Sequence, residues 1–113
     1  MDKRASFTIS INQVKRANEE LAKGYWFSKA TKCFFRSRYA QTATLIGLNA
    51  YFVSSEQFHY AGHSEPRKYS VRVCDLATGR IDTVGVFQNY DTSREARAAI
   101  REIIKEASQW VRS

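Results

Sequence analysis

The sequence predicts an α+β fold in a single domain over residues 1–113: an antiparallel sheet of three or four strands with an N-terminal and a C-terminal helix packed on one face. Three observations carry that reading. KYSVRVCD alternates Tyr69, Val71 and Val73 with Ser70, Arg72 and Cys74, the two-residue period of a strand. Asp75, Thr78 and Gly79 then mark a hairpin loop into RIDTVGVFQ, with Gly79 suited to a left-handed position. Toward each end, apolar residues recur at the spacing of an amphipathic helix.

Taken in order, Ser10 precedes Ile11, Val14, Ala17 and Leu21 at helical spacing, with Gln13 placed as in a capping box and Gly24 as a stop. The spacing predicts a helix from about Ile11 to Lys23. Between Gly24 and Asn49 two patterns compete. Tyr25, Trp26 and Phe27 favour an extended start, while Ser28 could cap a short helical turn through Lys32 before Phe34 and Phe35. NAYFVSS reads as a strand with Tyr51 and Val53 on one side and Phe52 on the other, and the polar interval from Ser55 to Pro66 reads as a loop. The final helix is the strongest element. Thr92 and Glu95 form a capping box, and Ala96, Ala99, Ile100, Ile103, Ile104, Ala107 and Val111 make one apolar stripe. At 100° per residue, Arg94, Arg97, Arg101, Lys105 and Arg112 fall opposite that stripe, while Glu95, Glu102 and Glu106 gather on one flank.

With 43% hydrophobic and 13% aromatic residues, a chain of 113 residues can bury a core without metal or disulfide staples. Its formal net charge of +7 sets aside an acidic tail and a protein that imitates DNA by charge. The nearly apolar run Leu45 to Val53 is broken by Asn49 and falls short of the ~20 residues that cross a bilayer. The opening MDKRASFTISINQ has no apolar stretch of signal-peptide length, so a soluble cytoplasmic protein is expected. Cys33 and Cys74 fit neither a disulfide framework nor a zinc knuckle and are expected to be reduced.

The charge is uneven. Residues 1–48 carry nine basic side chains against three acidic ones, and residues 49–113 carry nine against eight. From Leu21 to Ser55 there is no acidic residue, while Lys23, Lys29, Lys32, Arg36 and Arg38 are interleaved with Tyr25, Trp26, Phe27, Phe34, Phe35 and Tyr39. Cations neutralise phosphates and aromatic faces stack on bases, so this mixture suits a nucleic-acid groove. The competing reading makes the aromatics core and the cations solvated. The second candidate is the edge formed by Arg94, Arg97, Arg101 and Lys105, able to follow a phosphate backbone or an acidic protein surface, or simply to face solvent. His59 and His63 could share a metal only on a helix, and Gly62, Ser64 and Pro66 argue for a loop. No nucleophile elbow or phosphate-binding glycine loop is present, so no catalytic residue, metal or cofactor is expected, and the chain reads as a non-enzyme.

SKATKCFFRSR, AYFVSSEQF, RKYSVRVCDLATGRIDTVGVFQ and YDTSREARAAI together resemble a group of short proteins encoded by bacteriophages and plasmids, from about Phe27 to Ile100. That resemblance implies a mobile genetic element in a bacterial host cell and carries no catalytic residues. The hairpin followed by GVFQNYDTSREARAA is also similar to the N-terminal DNA-binding modules of tyrosine integrases, which implies phosphate-facing positions for Arg72 and Arg80; Asp75 and Asp82 on the same hairpin depart from it. The expected function is that of a basic binding protein for DNA or RNA. The alternative is an anti-defence inhibitor, of anti-CRISPR or anti-restriction type, docking on a nucleic-acid-handling host protein complex. The candidate binding residues are Trp26, Lys29, Lys32, Arg36, Arg38, Arg94, Arg97, Arg101 and Lys105.

Overall fold

A computed structural model describes residues 6–23, 27, 37–60, 62–86 and 88–110. The elements run β1 (Ser6–Ser10), α1 (Ile11–Leu21), β2 (Arg38–Tyr39), β3 (Thr42–Ile46), β4 (Asn49–Glu56), β5 (His59–Tyr60), β6 (His63–Ser64), β7 (Lys68–Asp75), β8 (Ile81–Thr83) and α2 (Ser93–Trp110). The fold is α+β, with an antiparallel sheet and two helices.

At the centre β4 and β7 pair over eight residues, from Asn49 opposite Asp75 to Glu56 opposite Lys68. Strand alternation then divides the side chains between two faces. Ala50 and Phe52 join Cys74 on one, where Ile11 and Val14 of α1 complete a core with Ala43, Ile81 and Phe27. Val53 and Val71 join on the other, where Ala96 and Ile100 of α2 pack with Tyr51, Tyr69, Ile103 and Ile104 around them. The helices thus lie on opposite faces, not together on one as the sequence reading had it. The reason is visible in β4: Ala50, Phe52, Val53 and Ser54 are all buried, so both of its faces require cover.

The sheet is also wider than three or four strands. Six are joined in the order β1-β3-β4-β7-β8, with β2 pairing β4 beside β3. β1 runs antiparallel to β3, pairing Thr8 with Thr44, and leads into α1 without a loop. β2 and β3 follow the same side of β4, interrupted where Ala40 N–H donates to the Val53 carbonyl (3.0 Å) and Gln41 O accepts from Ile11 N–H (2.9 Å). The stretch Ser55 to Pro66 holds the small β5–β6 hairpin, which pairs Tyr60 with His63.

The hairpin between β7 and β8 forms as expected. Gly79 has φ +76°, and its N–H donates to the Asp75 carbonyl at 2.6 Å. β8 is shorter than RIDTVGVFQ suggested. Gly85 turns the chain away at φ +75°, and Tyr90 returns it by exchanging two backbone bonds with Tyr69 (2.8 and 3.1 Å). Ser10 caps α1 by accepting from Asn12 N–H (3.2 Å), and Thr92 caps α2 by accepting from Glu95 N–H (3.1 Å). α1 ends at Leu21 with Lys23 in the left-handed region (φ 51°); Gly24, the expected stop, lies outside the described residues. No described helix is long and apolar enough to cross a membrane.

The β7–β8 loop is seated on α1. Asn18, 2% exposed, donates from Nδ2 to the Gly79 carbonyl (2.8 Å), and a Cβ at Gly79 would overlap the Ala17 carbonyl oxygen. Gly79→Ala therefore meets both a positive φ and backbone overlap, and should lower the unfolding free energy by at least about 2 kcal/mol in urea titrations. Cys74 is fully buried beneath α1, and burial, with Asp75 adding to it, pushes its thiol up to about 11. It should resist thiol reagents at pH 8 in the native state and react on unfolding. Its stability contribution is complete below about pH 8.5, the ordinary thiol value, and is lost as pH rises from there through 11, because the unfolded thiol ionises first.

Candidate functional site

α2 covers only part of its sheet face. It sits over β4 and β7, and on the same face Thr42 of β3 and the side chains of β1 stay exposed. Register puts Thr42, Thr44, Tyr51, Val53 and Ser55 on this face, continued on β1 by Ser6, Thr8 and Ser10. All three β1 side chains are exposed, as is Thr42. The exposed part of this face is therefore a strip of small hydroxyls on β1 and at Thr42, which donate to phosphate or sugar oxygens without a large desolvation cost, while Ile46 of β3, on the same face, is buried.

Between this strip and α2 run two adjoining depressions of about 250 and 210 Å³. They share Ala40, Val53 and Arg97. The first is walled by Arg38 and Arg97 with Ser55, Tyr69 and Ser93; the second by Arg97 and Arg101 with Thr42, Thr44, Tyr51 and Ile104. No carboxylate is among the described residues lining either one. Arg67 approaches from the far end, donating from Nη1 to Ser55 Oγ at 2.9 Å.

The orientation of α2 explains the sorting of charge. Ala96 and Ile100 point into the core, and at 100° per residue Arg97 and Arg101 fall on the side that meets β2 and β3. Arg94 and Lys105 continue outward from that flank as exposed cations, while Glu95, Glu102 and Glu106 occupy the opposite flank. The helix thus turns its cationic side toward the hydroxyl strip.

Of the residues singled out from the sequence, Arg38, Arg97 and Arg101 come together here from two distant segments. Trp26, Lys29, Lys32 and Arg36 lie outside the described residues. Phe27 belongs to the core: it is 8% exposed, its ring 4.8 Å from Tyr39 and 6.3 Å from Phe52, with Lys15 Nζ 5.7 Å from its centroid. Of the two hairpin arginines, Arg72 does not take the phosphate-facing place that the integrase resemblance implies, while Arg80 is exposed. Arg72 is inside the protein, and Arg80 is engaged by Asp82 at 3.2 Å. Sequence reasoning passed over Arg67, Ser55 and the hydroxyl strip. The signal was the alternation in SFTIS, where every second residue carries a hydroxyl, and its echo in Thr42 and Thr44 of TATLI.

Arg72 instead organises a buried polar cluster at the far end of the α1 face. Its Nε donates to Ser54 Oγ (2.9 Å), Nη1 to Thr83 Oγ1, and Nη2 to Glu56 Oε2 (3.3 Å). Ser54 Oγ in turn donates to the same Glu56 oxygen at 3.2 Å. The Arg72 and Glu56 side chains are 8% and 4% exposed. Burial pulls the guanidinium below its ordinary value, and the Glu56 carboxylate opposes that pull. Glu56 Oε1 has no hydrogen-bond partner among the described residues, and Arg72 and Ser54 compensate the carboxylate through Oε2. Burial also raises the Tyr39 phenol, which stays neutral beside this cluster.

A model of a family of unknown function, DUF7447, matches residues 10–101. No curated protein and no solved structure matches the chain.

Removing one partner of a buried pair strands the other, so Arg72→Met should cost about 3 to 5 kcal/mol of stability. Adding Glu56→Leu to that variant should restore a large part of the loss. Urea unfolding of the two variants beside the unmodified protein reads both effects.

Proposed function

Because the chain belongs to the DUF7447 family, whose function is unknown, its function has to be argued from its own surface, and we propose that it is a nucleic-acid-binding accessory protein of a mobile genetic element. The observation that carries this reading is the convergence of Arg38, Arg97 and Arg101 on one groove beside the exposed hydroxyls of Thr42 and β1. Guanidinium groups are suited to phosphate because they bind it through paired N–H donors and carry little hydration to remove. Hydroxyls on the sheet supply further backbone contacts, and the half-buried Tyr51 and Tyr69 line the groove.

Such contacts position a backbone without reading base edges, so binding has little sequence preference. The protein acts by binding and not by catalysis. Arg94 and Lys105, exposed on the same flank of α2, extend the cationic track beyond the groove. Phage- and plasmid-like blocks such as YFVSSEQF support the mobile-element setting.

Fluorescence anisotropy with labelled duplex and single-stranded oligonucleotides tests the reading. Duplex binding should weaken with salt along a log–log slope of roughly −4, as expected when about four to five phosphates are neutralised. Replacing Arg97 and Arg101 together with Ala should flatten that slope by about 2 while changing stability by less than about 1 kcal/mol. Ile100→Ala, one position from Arg101 but 7% exposed, should instead cost about 2 to 5 kcal/mol of stability. No binding at micromolar protein in 50 mM salt would refute the nucleic-acid reading. A host partner retained from lysate after nuclease treatment would then favour the inhibitor alternative.

A further inference from the structure

We propose that β1 is a self-association edge, along which two copies of this chain pair antiparallel about a two-fold axis at Thr8. β1 ends the strand order of the sheet, with β3 on one side and no described strand on the other. Its sequence, SFTIS, holds no charge, no proline and no glycine, and its partnered register with β3 is unbroken over all five residues. Charge, proline and bulges are features by which edge strands ordinarily avoid pairing, and β1 has none of the three. Phe7, its second residue, is 60% exposed, one of the large apolar side chains left facing solvent.

The occupant is a second copy because the strand is complementary to itself. Centred on Thr8, an antiparallel pair sets Phe7 opposite the Ile9 of the other copy, twice, and Ser6 opposite its Ser10, twice. Both apolar contacts fall on the α1 face, where Ile9 already packs against the core, and all the hydroxyls fall on the opposite face. A charged or irregular foreign strand would use the edge less fully, since only an uncharged strand with the same alternation matches both faces at once. An edge of five residues is small for a stable interface, so the dissociation constant should be on the order of 10 to 100 μM.

The pairing has a consequence for the groove, although the inference stands without the nucleic-acid reading. It would join two hydroxyl strips into one surface, with the two α2 helices on either side and their Arg97–Arg101 flanks facing each other. At about 4.8 Å between strands, the six intervals from one β4–β7 midline to the other span about 29 Å.

Sedimentation velocity on the full chain, free of nucleic acid, from about 5 to 500 μM tests the edge directly. The expected result is a concentration-dependent shift from monomer to dimer. Thr8→Lys puts like charges together at the two-fold and should remain monomeric throughout, while Thr42→Lys, on the same face but one strand inward, should associate as the unmodified chain does. Melting curves establish that both variants are folded. Should Thr8→Lys fail to fold, Thr8→Cys in a Cys33→Ser background decides, since partners across a two-fold lie within disulfide reach and should cross-link on mild oxidation, and Thr42→Cys should not. A monomer at every concentration, or association unaffected by Thr8→Lys, would overturn the proposal. Either result leaves the oligonucleotide-binding measurements independent of it.

Discussion

The eight-residue pairing of β4 with β7 is the constraint on which the other features depend. Because strand side chains alternate, that single register assigns Ala50, Phe52, Arg72 and Cys74 to one helix and Tyr51, Val53, Tyr69 and Val71 to the other. A slip of one residue would exchange the two sets and bring Arg72 under α2, away from Glu56. The buried ion pair and the two cores are thus mutually consistent consequences of one alignment. The Arg72–Glu56 pair need not add net stability to contribute here, since a stranded charge in any other register is penalised heavily.

The same alignment locates the groove. α2 needs an apolar seat for Ala96 and Ile100, and Val53 with Val71 provides it on the two central strands. Seated there, the helix covers the middle of the sheet and leaves Thr42 and the β1 side chains exposed, while its periodicity turns Arg97 and Arg101 toward that side. An apolar stripe and a cationic flank separated by about a quarter turn are enough to set a charged wall beside a hydroxyl strip. The glutamates on the other flank stay away from that wall, and no carboxylate is among the described residues that line it.

Much of this was legible in the chain. Asn49–Glu56 and Lys68–Asp75 stand out by alternation, Gly79 by turn chemistry, and α2 by its capping box and stripe. What the sequence obscured was partnership. β1 alternates as cleanly as β7, but Ser and Thr on its outer side, and Thr42 and Thr44 on that of β3, weaken the hydrophobic signal that marks a strand with one covered face. Helix placement was hidden for a related reason: Val53, Ser54 and Ser55 are all buried, yet serines in a strand read as solvent-facing until the opposite layer is known. Arg72 read as a surface cation because its acceptors, Glu56 and Thr83, come from other strands. Within the candidate site, α2 periodicity identified Arg97 and Arg101, whereas Arg67 and Ser55 became neighbours only through the sheet.

The most direct measurement of the central claim is a two-dimensional amide NMR titration with a short oligonucleotide at low salt. The account predicts shifts concentrated at Arg38, Thr42, Thr44, Ser55, Arg97 and Arg101, with the residues around Phe52 and Cys74 on the α1 face unchanged. Shifts confined to the α1 face or to the β7–β8 loop, with the groove silent, would contradict it.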